Sequence, residues 1–314
     1  MQRTPAIVAA VVALIAIAVV AFLLLSGAGT PVPSAEPSAS ASSEPSASPS
    51  ASASPEFRAD LLDRRWTILY VGTDLNEARE NDGHVPNTDA LMLVTVSEDQ
   101  SEVVLVSLPR DTVDVPLPDG GAYERKINGL YSDQGLDALV GAMEELYQLP
   151  IDGYVVLDMD DYTELVDIVG TVEVNPPEPI VDPIVQLDME AGPQEIGAGT
   201  ARSYVRTRVD QDYGRMRRQQ EVLVSLIERL TDPESSIDLR RVLDGFESLE
   251  TDLPLDELPT LLEVARRATD AELRTLVIAP PLITFEGDRG DGRGYVLEPD
   301  VDAIRDEVRE LVGD

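Results

Sequence analysis

The sequence predicts an α/β layered domain held outside a membrane, and three observations predict it. Strand-like and helix-like runs alternate from Thr67 to the end of the chain. A purely apolar stretch stands near the N-terminus, and a low-complexity segment separates it from the alternating region.

The apolar stretch, Ala6–Leu25, is twenty residues without a polar side chain. At helical rise it covers about 30 Å, the thickness of bilayer hydrocarbon. It is longer than the roughly 7–15 apolar residues of a cleaved signal peptide, and Ser26-Gly27-Ala28 is no obvious cleavage site. Arg3 precedes it and no basic residue follows until Arg58. Residues 1–27 therefore read as a cytoplasmic N-terminus and transmembrane signal anchor. Residues 28–57 read as a disordered Ser/Ala/Pro-rich linker, because such repeats bury no apolar area. Residues 58–314 remain as a single extracytoplasmic domain.

Three strand-like runs open that domain: Thr67–Gly72, Ala90–Ser97 and Glu102–Leu108. Residues 98–101 suit a hairpin connection between the second and third. Leu136, Leu139, Val140, Met143 and Tyr147 recur at helical spacing. Tyr154–Leu157 reads as a strand, Tyr162–Val169 as a helix ended by Gly170, and Thr171–Val174 as a strand. Residues 175–199 hold five prolines and read as a long surface excursion. A helix over Tyr213–Leu230 follows. Helices near Leu255–Arg267 and Val301–Val312 flank a strand at Leu273–Ile278.

Composition narrows the chemistry. The chain has 314 residues, a net charge of −35, no cysteine and one histidine, His84. Disulfides, thiolate metal sites, cysteine catalysis and Ser-His-Asp triads are thereby excluded or nearly so. So acidic a chain repels nucleic acid, so no nucleic-acid partner is expected. An anion site requires a local reversal of sign.

Residues 202–218 supply it. Arg202, Arg206, Arg208, Arg215, Arg217 and Arg218 stand against Asp210 and Asp212, leaving +4 in an acidic chain with one lysine, Lys126. Arginine is suited to bidentate phosphate binding. On a helical wheel starting at Arg215, Met216, Leu223, Leu226, Ile227 and Leu230 fall between about 20° and 120° and form a buried stripe. Arg215, Arg218 and Gln219 lie along one flank of that stripe, and Arg217 points away to solvent. A helix starting near Tyr213 puts Arg215 in the first turn, where free N–H groups favour an anion.

Asp74 follows the first strand and Asp89 precedes the second. If the three strands alternate in direction, Asp74, Asp89 and Arg110 share one end of the sheet. Paired carboxylates there suit Mg²⁺ beside a phosphate, although strand caps or solvated charges explain the spacing as simply.

Together these segments resemble the LytR-CpsA-Psr family of bacterial envelope proteins, over about residues 66–314. The resemblance rests on Ile68-Leu69-Tyr70-Val71-Gly72-Thr73-Asp74, Thr88-Asp89-Ala90-Leu91-Met92-Leu93-Val94 and Leu105-Val106-Ser107-Leu108-Pro109-Arg110-Asp111. It continues in Lys126-Ile127-Asn128, Ile151-Asp152-Gly153-Tyr154-Val155 and Tyr204-Val205-Arg206-Thr207-Arg208. Its most specific run is Asp212-Tyr213-Gly214-Arg215-Met216-Arg217-Arg218-Gln219-Gln220. It implies an α/β/α layered domain around a central mixed sheet, with an apolar cavity for a polyprenyl chain. It implies Mg²⁺-dependent transfer of a glycopolymer from a polyprenyl-pyrophosphate carrier to a peptidoglycan hydroxyl. It puts Asp74 and Asp89 at the metal, and Arg110, Arg206, Arg208, Arg215, Arg218 and Gln219 at the pyrophosphate. Arg110, Arg206, Arg208 and Asp89 become the catalytic set, with Asp89 or Asp111 as the base. Asn76 and Asn87 stand where the family often has arginine. That difference motivates a second reading, a non-catalytic polyprenyl-phosphate binding or regulatory protein; a third is a pyrophosphatase with water as acceptor.

Overall fold

A computed structural model describes residues 58–75, 85–231, 250–254, 257–268 and 271–313. The proposed anchor, the linker, Asn76 and His84 lie outside the described residues. Among the described residues no helix is long and apolar enough to cross a membrane.

Three adjacent strands form the centre: β1 (Trp66–Thr73), β2 (Thr88–Val96) and β3 (Glu102–Ser107), each antiparallel to the next. Short strands β4 (Val115–Pro116) and β5 (Ala122–Tyr123) pair apart from the main sheet. Strand β6 (Gly153–Leu157) runs parallel to β1. Four three-residue strands follow: β7 (Val172–Val174), β8 (Ile180–Asp182), β9 (Leu187–Met189) and β10 (Gln194–Ile196). Then come β11 (Glu250–Thr251), β12 (Glu272–Val277), β13 (Ile283–Asp288) and β14 (Tyr295–Pro299). The main sheet is mixed, in the order β11-β6-β1-β2-β3-β12.

The helices are α1 (Ala59–Leu62), α2 (Leu130–Gln134), α3 (Leu136–Tyr147), α4 (Met159–Val169), α5 (Ala198–Tyr204), α6 (Gln211–Thr231), α7 (Leu258–Arg267) and α8 (Val301–Val312). Side chains alternate across the strands and build two separate cores. Ile68, Met92, Val94, Val103 and Leu105 pack on one face with α4, α6 and α7. Leu69, Val71, Leu93, Val104 and Val106 pack on the other with α3 and α8. The three layers match the α/β/α expectation. Trp66 is core, and its Nε1 donates to Leu61 O.

The strand expected over Thr171–Val174 forms as Val172–Val174 and pairs with β10 outside the main sheet. One expectation changes. Residues 175–199 are no structureless excursion: β8 pairs with β9, and Ile180, Leu187, Met189 and Ile196 are buried. Their period-2 pattern is only three residues long in each strand, and the intervening prolines conceal it.

Candidate functional site

Strands β1, β3, β6 and β12 all finish at the end of the sheet where β2 begins. That topology alone gathers the loops after four strands beside the start of a fifth. Asp74 lies just past β1, where its N–H donates to Asn87 O and its Oδ1 accepts from Asn87 N. Asp89 is not ahead of β2, as its position suggested, but is the second residue of that strand. The pairing steps from Gly72↔Ala90 to Thr73↔Thr88, so Asp89 is the extra residue of a β-bulge. The bulge frees Asp89 from the regular alternation and re-aims its carboxylate. Gly72, opposite, fits the crowded turn, since a Cβ there would stand 3.0 Å from the Ala90 Cβ.

Arg110 returns to this end after β3. Its backbone oxygen accepts from Asn128 N, and its Nη1 donates to Asp89 Oδ1. Burial opposes the charge on Arg110, but Asp89, Asp111 and Asp212 outweigh it and raise the guanidinium pKa. Asp111 is turned to Lys126, with Nζ 3.0 Å from Oδ1.

Helix α6 begins at Gln211, so Arg215 sits in its second turn rather than its first. The helix terminus therefore lies a turn ahead of the arginine, where Gln211 N already donates to Arg208 O, and the helix-terminus argument for Arg215 falls. What holds it instead is burial: Arg215 is only 2% exposed. Its Nη1 is 3.9 Å from Asp89 Oδ1 and its Nη2 is 2.9 Å from Asp212 Oδ1. That closeness is not hydrogen bonding. Nε and Nη2 of Arg215, Nε of Arg110 and both oxygens of Asp212 are buried without hydrogen-bond partners. Burial pushes the Arg215 pKa down, Asp212 and Asp89 pull it up, and Arg208 and Arg110 reinforce the fall. A buried cation with idle donors is costly unless a ligand completes it.

Arg218 is a different case. Its Nε donates to Tyr204 O at 3.0 Å, its Nη2 to Thr207 O at 2.7 Å, and both Nη groups to Asp210. Four of its N–H groups are engaged within the protein, so Arg218 clamps the loop between α5 and α6. Asp210 reaches it by lying on Gly214, where a Cβ would meet the carboxylate at 1.9 Å. The sequence left open whether Arg206 and Arg208 lay on a strand or a helix end; they lie on that clamped loop. Arg206 is exposed, with no protein partner for its guanidinium among the described residues. Arg208 Nε is 3.7 Å from Asp212 Oδ1. Arg217 is exposed, as the wheel predicts.

Behind this polar rim a cleft opens between the sheet and helices α4 and α6. Its space is about 580 Å³ including the mouth. Tyr70, Leu157, Met159, Tyr162, Leu165, Val205, Leu223 and Leu226 make it apolar, while Thr73, Asp89, Asp158 and Gln219 edge it. Gln219 points its amide to Val205 O at 3.4 Å. The Tyr70 hydroxyl pKa is pushed up to about 12 by burial. The arrangement is an apolar slot ending in guanidinium groups, which suits an amphiphile with an anionic head. Asp212 and the cleft lining were not singled out from sequence. Asp212 has a signal, its i,i+3 spacing to Arg215; the lining has none.

The LytR_cpsA_psr family profile matches residues 33–306. The chain is 27% identical over 250 residues to the polyisoprenyl-teichoic acid–peptidoglycan teichoic acid transferase TagV of Bacillus subtilis (strain 168), covering 77% of this chain and 62% of TagV. It is 28% identical over 249 residues to the enzyme named TagU of Halalkalibacterium halodurans, covering 76% of each. The crystal structure of B. subtilis TagV superposes with a TM-score of 0.64 at 25% identity, over 80% of this chain and 98% of that one. The chain thus spans less than two thirds of the full TagV sequence but nearly all of its solved domain. Profile, relatives and fold agree, and the chain belongs to the LytR_cpsA_psr family.

Proposed function

We propose that this chain transfers a glycopolymer from a polyprenyl-pyrophosphate carrier to a peptidoglycan hydroxyl, leaving a phosphodiester. One observation carries the reading: Arg215 is a buried guanidinium with idle donors, beside Arg110 and Asp89, at the head of an apolar cleft. The cleft suits the isoprenoid chain and the arginines suit the pyrophosphate. The names of TagV and TagU support the same substrates.

In the transfer, the acceptor oxygen attacks the phosphorus that bears the glycan. The bond from that phosphorus to the bridging oxygen breaks, and polyprenyl phosphate leaves. Arg110 and Arg215 hold the charge that builds on the phosphoryl oxygens, with Arg206 and Arg208 on the loop above. Asp89, in contact with both Arg110 and Arg215, takes the acceptor proton. Asp74 and Asp89 offer hard oxygen ligands at one edge, a donor set that fits Mg²⁺ bound chiefly through substrate phosphates. When bound, Mg²⁺ supplies further neutralisation of the pyrophosphate. Arg218 supports the reaction by fixing the arginine loop. The anchor expected over Ala6–Leu25 places the domain outside the cell membrane, where peptidoglycan is.

The test is an incubation of purified protein with polyprenyl-pyrophosphate-linked glycan, Mg²⁺ and peptidoglycan. Expected products are glycan-bearing peptidoglycan and polyprenyl phosphate. Tight donor binding without products establishes the non-catalytic binder instead. Release of glycan phosphate without acceptor establishes the pyrophosphatase.

A further inference from the structure

Among the described residues the exposed large hydrophobic side chains are few, and three of them gather at one place. Ile184 is 90% exposed, Val181 64% and Val209 53%. Val181 and Ile184 belong to the β8–β9 hairpin, Ile184 at its turn. Val209 belongs to the loop between α5 and α6. The buried carboxylate of Asp182 ties the two together. It accepts the N–H of Ile184 at 2.9 Å and the hydroxyl of Thr207 at 2.6 Å. It also takes the backbone N–H groups of Val185 and Arg208, and these bonds hold its pKa below the usual carboxylate range. The hairpin turn and the arginine loop are therefore one rigid tip.

The tip has a definite chemistry. Its apolar points stand beside Arg206 and Arg208, two cations in a chain of net charge −35. Asp188 pairs directly with Val181, so its carboxylate stands level with that valine, and the turn with Ile184 projects beyond both. Val205, two residues before Thr207, already lines the apolar cleft. Apolar side chains next to arginines are the makings of an interfacial anchor, in which the former enter the acyl boundary and the latter meet anionic headgroups.

We infer that the β8–β9 turn and Val209 form a docking tip that inserts into an anionic lipid surface, bringing Arg206 and Arg208 to headgroup depth. The inference rests on the proposed lipid-linked donor, whose pyrophosphate lies at that same depth. The tip thereby lets the cleft receive the isoprenoid directly from the bilayer.

The chain has no cysteine, so Ile184→Cys carries a single environment-sensitive fluorophore. Asp302→Cys, on the solvent side of α8, carries the same probe as the remote reference. Full-length protein is reconstituted into phosphatidylglycerol vesicles, so its own N-terminal segment presents both probes to the same surface. The expected result is a blue shift at position 184 and quenching by spin-labelled lipid, with neither at position 302. Docking should fall roughly fivefold for each arginine contribution lost in phosphatidylcholine vesicles. A probe at 184 that stays as water-exposed as the one at 302 overturns the inference. Equal docking to both lipids overturns the headgroup role of the arginines. Ile184→Asp, which touches no core residue, should slow transfer from vesicle-embedded donor and leave transfer in detergent unchanged. Wild-type protein inactive in detergent would count against the transferase reading, while the fluorescence result stands independently.

Discussion

The two faces of the main sheet are built from alternate residues of the same strands, yet they differ: the α4–α6 face borders an apolar cleft. On the α3–α8 side, Leu139, Ala142, Met143 and Val308 are fully buried against β1–β3. On the α4–α6 side, Leu165, Leu223 and Leu226 are as well buried but border a cleft. Alternation in a strand specifies two apolar faces and does not say whether a neighbour or a ligand covers each. The filling is decided by the helix above. Helix α6 spends part of its inward surface on Arg215, Arg218 and Gln219, so aliphatic side chains there do not close the gap.

The largest expected effect breaks this comparison at the rim of the cleft. Arg215→Ala should lower transfer by about 100–1,000-fold, the usual loss for one donor to developing charge. The same change strands the buried Asp212 carboxylate, so the melting temperature should fall as well. Arg215→Lys, which keeps a cation beside Asp212, should hold the melting temperature yet still lose most of the transfer, and retained transfer in that variant would assign Arg215 to the fold instead. Arg218→Ala, one turn along, should do the reverse in kind. Losing its bonds to Tyr204, Thr207 and Asp210 should cost about 2 kcal/mol in urea unfolding. An Arg218→Ala protein of unchanged stability would return that residue to the substrate.

Overpacking sharpens the contrast between faces. Ala142→Leu, on the buried face of α3, should destabilise the protein by about 1–3 kcal/mol, since that side chain is fully enclosed. Leu223→Phe adds bulk toward the cleft and should cost less, while weakening binding of a polyprenyl phosphate measured by titration. Equal costs at the two sites would mean that the cleft closes in solution. The smallest effect concerns acid. Asp182 is bound in its charged form, so its folded pKa lies below the unfolded value. Its contribution is present above the unfolded pKa, near 4, and is lost as pH falls through the lower folded value. Asp182→Asn should flatten the stability profile there, as followed by circular dichroism.

Much of the sheet was legible because its strands are long apolar runs and the turn between β2 and β3 is short. The gathering of Asp74, Asp89 and Arg110 followed from strand direction alone. The arginine cluster was legible against the acidic background, although its members could not be sorted by role. Arg215 and Arg218 share a helix face and a residue type. What separates them is Asp210 and two carbonyl oxygens, brought close by a loop that no periodicity describes. The bulge at Asp89 was equally hidden, since an extra residue in one strand shows only against its partner. The hairpin of β13 and β14 also escaped notice, for its alternation is broken by glycines and charges.

The Arg218 clamp has a consequence for binding. A loop that carries Arg206 and Arg208 would ordinarily lose conformational freedom when its arginines close on an anion, and that loss would weaken the complex. Here the loop is fastened at Tyr204, Thr207 and Asp210 before any ligand arrives. Its backbone ordering belongs to folding, so the rotamers of the exposed Arg206 and Arg208 side chains are what remains to be fixed at the moment of contact.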